Sequence, residues 1–189
     1  MKCISLLFIG LIFSTWSLAS DKSSCSDTAS QWQQFKAWYV TGSGRVVDAD
    51  NQRISHSEGQ GYAMLMAVFF EDRLTFHRLW HWTQRHLKLP EQALLAWKLQ
   101  PNPPHTPYPN NAADGDVLVA WALLRAYKRW GNKSHLTSAI QIIGHLQKTQ
   151  LRVIDGETLL LPGSIGFETT SSTVINPAYW VYPAFSAFA

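Results

Sequence analysis

Cysteine and charged residues are both scarce in this sequence, and each scarcity excludes a class of protein. Only two of the 189 residues are cysteines, and one of them, Cys3, lies in the N-terminal segment that we expect to be removed as a leader. The remaining thiol, Cys25, cannot form an internal disulfide, and the seven histidines are scattered without zinc-type spacing. Charged residues make up 15% of the chain, the formal net charge is +3, and no basic run occurs. The sequence therefore argues against a disulfide scaffold, a zinc module and a nucleic-acid partner, and we expect no cofactor.

The leader, residues 1–19, has the pattern of a secretory signal peptide. Lys2 forms the positive n-region, an apolar core runs from Ile4 to Trp16, and a short Ser-Leu-Ala segment ends at Ala19 before the expected cleavage point. The apolar core is too short for a stable transmembrane helix. We therefore expect export to the periplasm or beyond, no membrane span after cleavage, and a single domain formed by residues 20–189.

Helical periodicity dominates the rest of the chain and predicts an all-α fold. Helices are expected at 30–40, 58–71, 73–88, 114–130 and 133–149. A glycine-rich turn is expected at 42–44, an irregular passage at 100–113, and a loop or hairpin region at 151–175 with short strands permitted at 151–161. A last apolar segment follows Asn176 and Pro177. Long connections of this kind leave room for a substrate cleft.

A single carboxylate, Glu58, stands where a buried helix begins. It follows Ser55, His56 and Ser57 and precedes the apolar run from Tyr62 to Phe70. Contact with apolar side chains removes hydration from a carboxyl group and raises its pKa, which suits a general acid. The simpler interpretation is that Ser57 is an N-cap and that Glu58 complements the helix dipole. His56 is either a partner of Glu58 or part of the polar approach to the helix.

Two further carboxylates, Asp114 and Asp116, open a helix that is apolar on nearly every side until Arg125. Such a helix belongs inside a protein, where carboxylates rarely lie without a partner or a task. The simpler interpretation is again helix capping. A D-x-D pair also occurs in divalent-metal sites, but the downstream glutamate of a calcium loop is absent, so we expect no metal.

Six short segments are informative as an ordered set. They are S-E-G-Q-G-Y-A-M at 57–64, W-T at 82–83, L-A-W-K at 95–98, N-A-A-D-G-D with the A-W-A-L-L-R-A helix at 111–126, L-L-P-G and G-F at 160–167, and N-P-A-Y-W at 176–180. In order and spacing they resemble glycoside hydrolase family 8 over roughly residues 30 to 189. Ala113 departs from the family's usual Ser or Thr, which removes a hydroxyl but no titratable group.

The resemblance implies an (α/α)6 barrel of six helical hairpins, of which this chain covers roughly the first half. It implies an endo-β-1,4-glucanase that cleaves β-1,4-glucan with inversion and is linked to bacterial cellulose biosynthesis, with cellulose as substrate and the cellulose synthase machinery as an associated partner. Glu58 matches the proton donor. Asp114 matches a position described either as a nucleophile or as a sugar-binding residue that supports the transition state. The usual base is expected beyond residue 189.

Aromatic residues make up 13% of the chain, with nine tryptophans, and support a carbohydrate ligand. Trp97 and Tyr179 are the candidates for substrate binding, because indole and phenol rings stack on the apolar faces of sugars. Most other aromatics are expected in the core, namely Trp80, Trp82, Trp121 and Trp130.

The last fourteen residues, 176–189, carry no charge. Domain ends are usually polar, so we expect a truncated catalytic domain whose apolar surface requires a cover. The alternative function is a non-catalytic remnant that at most binds glucan.

Overall fold

The computed structural model of the protein describes residues 23–99 and 107–189. The predicted signal peptide and residues 100–106 of the irregular passage lie outside the described residues. Within them the helices are α1 Ser23–Tyr39, α2 Ser57–Phe69, α3 Arg73–His86, α4 Ala113–Trp130, α5 Lys133–Gln150 and α6 Tyr182–Phe188, with a 3₁₀ turn at Pro177–Tyr179. The predicted all-α class is confirmed.

Local capping signals explain why several of these helices begin and end where they do. Asp72 accepts a hydrogen bond from the Thr75 backbone nitrogen at the start of α3, and Asn132 caps α5 in the same way. Gly131 ends α4 with φ 72°, a left-handed conformation that glycine adopts without steric cost. These ends agree with the predicted helix boundaries within one or two residues.

The first helix differs from its prediction, because it begins at Ser23 rather than at Ser30. Its N-terminal part is rich in Ser, Thr and Asp, which favour turns over helix interiors. Side-chain bonds support the helix there: the Ser30 hydroxyl donates to the Asp27 carbonyl at 2.6 Å and Gln31 Nε2 donates to the Asp27 carboxylate at 3.1 Å. Further along α1, Trp32 stacks on Phe70 at 5.7 Å between ring centroids and holds the helix against the core.

Helices α2 and α4 form the centre of the core. α2 packs against α4 and α3, and α4 packs in addition against α5 and α6. The two central helices approach closely, because a Cβ added at Gly61 would lie 2.6 Å from Leu118 Cβ. Alanines fill the remaining space between helices and are fully buried: Ala63, Ala67, Ala120, Ala122, Ala126 and Ala139.

The predicted core tryptophans lie in the core or against it. Trp80 and Trp82 are buried, at 9% and 4% exposure. Trp121 and Trp130 are half-buried and pack against the same cluster. The Trp130 ring meets Phe76 edge-on at 5.2 Å.

Two short antiparallel pairs complete the described residues. β3 Leu151–Ile154 and β4 Glu157–Leu160 form a hairpin inside the region where short strands were predicted. Its turn is Asp155-Gly156, with φ 52° and 84°, the positive values of a two-residue hairpin turn. β1 Ser55–His56 pairs with β2 Lys98–Leu99. Periodicity cannot reveal a two-residue strand, so this pair was not predicted. None of the described helices has the length and apolar character needed to cross a membrane.

Candidate active site

The N-terminal turns of α2 and α4 meet at Gly115, and this contact forms the site. A Cβ at Gly115 would lie 2.6 Å from Ser57 Cβ and 3.0 Å from the Glu58 backbone nitrogen. Carbon atoms in contact normally stand about 3.5–4.0 Å apart, so only glycine allows this approach. The glycine between the two aspartates thus brings the helix ends that carry Glu58 and Asp114 together.

Glu58 is the second residue of α2, and its carboxyl group reaches solvent. The side chain is 43% exposed, so the apolar burial predicted for it is wrong. The simpler interpretation, in which Ser57 is the N-cap, is also wrong: His56 is the N-cap, and its Nδ1 accepts a hydrogen bond from the Gly59 backbone nitrogen at 3.1 Å. Ser57 begins the helix, and its buried hydroxyl has no hydrogen-bond partner in the described part of the chain. An accessible carboxyl group in this position can meet a bound substrate.

His56 contacts two carboxylates besides capping α2. Its Nε2 lies 3.6 Å from Asp48 Oδ2, and its Nδ1 lies 3.9 Å from Glu58 Oε2. Of the two roles that the sequence left open, His56 therefore fulfils the first, because its ring contacts Glu58 directly.

Asp114 is the second residue of α4 and is buried, with 7% exposure. Its Oδ1 accepts a hydrogen bond from the Gly115 backbone nitrogen at 2.7 Å. Burial raises the pKa of Asp114 to about 6, and the negative charge of Glu58 contributes to the increase. The N-cap position belongs to Ala112, which makes no side-chain cap bond, so capping does not account for Asp114. The desolvation predicted for Glu58 falls on this residue instead.

Asp116 is fully buried and has a structural task. Its Oδ1 accepts a hydrogen bond from the Leu95 backbone nitrogen at 2.9 Å, and its Oδ2 accepts one from Asn111 Nδ2 at 2.8 Å. Burial raises its pKa to about 8. Asn111 continues the network, because its Oδ1 accepts a bond from the Ser164 backbone nitrogen at 2.8 Å. Asp116 and Asn111 thus tie two loops to the start of α4, and sequence reasoning assigned no role to Asn111.

The two aspartates of the D-x-D pair make different contacts. Across residues 23–99 and 107–189, no group of three or more His, Cys, Asp or Glu side chains is arranged to hold a metal ion. Asp116 is occupied by two N–H donors, as described above. The D-x-D motif therefore divides into Asp114, whose pKa is raised further by the charge of Glu58, and Asp116, which anchors the fold.

Tyr179, one of the two predicted aromatic candidates, lies near the carboxylates. It is half-buried in the 3₁₀ turn, and burial raises its pKa, with further contributions from the charges of Asp114 and Glu58. Tyr62 shows the same pattern: burial raises its pKa, and Glu58 and Asp114 raise it further. Tyr62 is 50% exposed and was missed as a site residue, although it follows Glu58 by one helical turn. The four-residue spacing from Glu58, which puts both side chains on one face of the helix, is the sequence signal that could have identified Tyr62.

Trp97, the other predicted candidate, is linked to the site through its backbone. Its carbonyl accepts a hydrogen bond from the Ser57 backbone nitrogen at 3.0 Å. Its half-buried ring meets Tyr108 at 5.6 Å between centroids, and Lys98 Nζ lies 4.4 Å from the ring centre. Trp97 thus stands beside the start of α2, with a cation over its ring.

Comparison with known proteins identifies one family. The family described as Glycosyl hydrolases family 8 matches residues 10–189. An endoglucanase from Cellulomonas uda is 40% identical over 159 residues, which cover 84% of this chain and 44% of that protein. The chain therefore spans about half the length of the curated relatives it matches.

Solved structures show the same relationship. The chain is similar to a GH8 endo-β-1,4-glucanase from an Achatina fulica gut metagenomic library, with 40% identity, a TM-score of 0.81, and coverage of 84% of this chain and 50% of that one. It is also similar to the endo-β-1,4-glucanase CMCax from Acetobacter xylinum, with 38% identity, a TM-score of 0.79, and coverage of 85% and 51%. The helices described above correspond to about half of an (α/α)6 barrel, as predicted.

Proposed function

Because the chain belongs to glycosyl hydrolase family 8, we propose that the protein is an endo-β-1,4-glucanase that cleaves cellulose or a similar β-1,4-glucan with inversion. The names of its relatives support this activity, since they are endoglucanases from bacteria. The observation that carries the proposal is the junction at Gly115, which brings the start of α2 with Glu58 against the start of α4 with Asp114.

Glu58 is the general acid in this proposal. Its carboxyl group is partly exposed at the end of α2, so it can approach the oxygen of a glycosidic bond and protonate the leaving group. An inverting enzyme needs a second carboxylate roughly 6.5–9.5 Å away to activate water on the opposite face of the sugar. We assign that base to no residue of this chain.

Asp114 binds sugar hydroxyls next to the cleaved bond. Its pKa of about 6 means that the protonated and ionised forms coexist near that pH. A carboxyl group in this state can donate to one hydroxyl or accept from another. Its burial lowers the local dielectric and strengthens such hydrogen bonds. This role fits Asp114 better than capping does.

Tyr179 and Trp97 are the proposed stacking residues for the glucan. Burial raises the pKa of Tyr179 and the charges of Asp114 and Glu58 raise it further, which supports a role for Tyr179 beside the reacting unit. Trp97 adjoins the start of α2 and is offered as a more distant sugar contact. We further propose that the protein is exported through its signal peptide, residues 1–19, and that it acts together with the cellulose synthase machinery.

Substitution of Glu58 by glutamine tests the proposal. Glutamine keeps the shape of the side chain and removes the proton, so activity on carboxymethylcellulose should fall by about 10²–10⁴-fold while the melting temperature and glucan binding stay the same. Release of reducing ends by the complete protein is the measurement. Glu71→Gln is the matched control, since Glu71 is an exposed glutamate paired with Arg129 away from the site. Hydrolysis at the wild-type rate by Glu58→Gln would exclude Glu58 as the acid. Glucan binding without any hydrolysis by the unsubstituted protein would favour the non-catalytic alternative.

A further inference from the structure

His56 lies between Asp48 and Glu58, and the hydrogen bond that its ring accepts determines which ring nitrogen carries the proton. Nδ1 accepts the Gly59 backbone N–H at 3.1 Å, so it must present a lone pair. The proton of the neutral ring is then on Nε2, the nitrogen that lies 3.6 Å from Asp48 Oδ2. The carboxylate of Asp48 thus faces the N–H of the imidazole and favours that tautomer and orientation.

The other edge of the imidazole ring borders the proposed acid. Nδ1 lies 3.9 Å from Glu58 Oε2, and a Cβ at Gly59 would lie 3.2 Å from the ring carbon Cε1. The ring is therefore packed over the first turn of α2 and limits the motion of Glu58 on one side. Strand pairing also fixes the backbone of His56, because His56 lies opposite Lys98 in the β1–β2 pair.

Capping of the helix start does not by itself require a histidine, since a serine, threonine, asparagine or aspartate cap would accept the same N–H. Histidine adds a second polar edge, and that edge is directed at a carboxylate from a different segment. Asp48 belongs to the loop after α1, where its backbone nitrogen donates to the Ile54 carbonyl at 2.9 Å. The pair therefore connects that loop to the position of Glu58.

We propose that Asp48 and His56 act together as positioning residues for Glu58: Asp48 orients the imidazole, and the imidazole fixes both the first turn of α2 and one side of the Glu58 carboxyl group. This inference rests on the proposed function, in which Glu58 is the general acid. A loss of positioning lowers the rate of proton transfer and leaves the more distant sugar contacts in place.

The test separates positioning from simple capping. In the complete protein, His56→Asn keeps a cap acceptor but loses the contact with Asp48, and Asp48→Asn keeps the histidine but removes the charge that orients it. We expect kcat on a soluble cello-oligosaccharide to fall by about 10- to 100-fold in each variant, with KM and melting temperature close to wild type. The double variant should fall no further than either single variant, because both changes remove one shared arrangement.

A control cap supplies the comparison. Asn132 lies in the α4–α5 connection and is the N-cap of α5. Asn132→Ala removes this cap and should lower the melting temperature without lowering kcat. Wild-type kcat in either His56→Asn or Asp48→Asn would overturn the positioning role and leave His56 as a cap. If these variants are active while Glu58→Gln is not, the positioning inference fails and the proposed function stands. Wild-type activity in Glu58→Gln would remove the proposed function itself.

Discussion

Replacement of Gly115 by alanine tests the contact on which the site depends. The added methyl group would lie 2.6 Å from Ser57 Cβ and 3.0 Å from the Glu58 backbone nitrogen. Carbon atoms in contact need about 3.5–4.0 Å, so the starts of α2 and α4 must separate by about 1 Å. The nearest obstructing atom is the Ser57 hydroxyl oxygen, which can rotate aside, but Ser57 Cβ and the Glu58 backbone nitrogen cannot.

The expected effect on stability is small and the expected effect on activity is large. Overpacking costs about 1–3 kcal/mol. Replacing a helical glycine by alanine returns about 1 kcal/mol, so we expect Gly115→Ala to lose about 0–2 kcal/mol of stability. A displacement of about 1 Å between Glu58 and Asp114 can reduce turnover about 10²-fold. Turnover of carboxymethylcellulose and the melting temperature are measured on the same preparation.

Two further variants serve as a control and as a rescue for Gly115→Ala. Gly144→Ala is the matched control, because Gly144 also lies inside a helix but nothing stands within 4 Å of an added Cβ. It should gain about 0.5–1 kcal/mol and keep full activity. Ser57→Gly combined with Gly115→Ala removes the nearest obstructing side chain and should recover part of the turnover. If Gly115→Ala behaves like Gly144→Ala, more stable and fully active, the reasoning about the helix junction is wrong.

Three substitutions test the charges through the pH dependence of stability. Asp114 has a folded pKa of about 6, above its ordinary 3.8, so the folded state holds the proton more tightly than the unfolded state. Wild-type stability therefore falls as pH rises from about 3.8 to 6. Across this range the melting temperature of Asp114→Asn should rise relative to that of the wild type, while its turnover stays slower. Burial raises the pKa of Asp72, but hydrogen bonds led by Lys36 lower it to about 2. Asp72→Asn should therefore cost about 1–2 kcal/mol at pH 7, and most of this cost should disappear as pH falls from about 3.8 to 2. Burial, with the charges of His77 and Arg73, lowers the pKa of His135 to about 4, so wild type should lose about 2 kcal/mol as pH falls from about 6.5 to 4 and His135→Leu should resist that loss.

Melting curves of each variant and the wild type, recorded in parallel from pH 2 to pH 8, check all three. A pH-independent difference between Asp114→Asn and wild type would mean that Asp114 is not desolvated in the folded state. An Asp72→Asn penalty of equal size at pH 2 and pH 7 would show that the Lys36–Asp72 contact is not ionic. Identical acid sensitivity of His135→Leu and wild type would exclude His135 as the group that titrates.

Most helix boundaries followed from the sequence because the signals that set them are local. Asp72, Asn132 and Gly131 stand at helix ends and act through bonds or conformations within a few residues. The predicted start of α1, at Ser30, was wrong because the residues from Ser23 onward have weak helix propensity and show no apolar periodicity. The β1–β2 pair was missed because it joins residues about forty positions apart through only two residues on each strand.

The sequence by itself determined that Glu58 and Asp114 stand at the N-terminal ends of two apolar helices, because helix position depends on neighbouring residues. It did not determine which carboxylate is buried, because desolvation depends on groups that come from elsewhere in the chain. Only the tertiary structure left Glu58 partly exposed, buried Asp114, and surrounded Asp116 with donors from Leu95 and Asn111. The same long-range packing brought His56, which caps α2, close to Asp48. The partners of a side chain depend on the distances that the fold creates and not on its position along the chain.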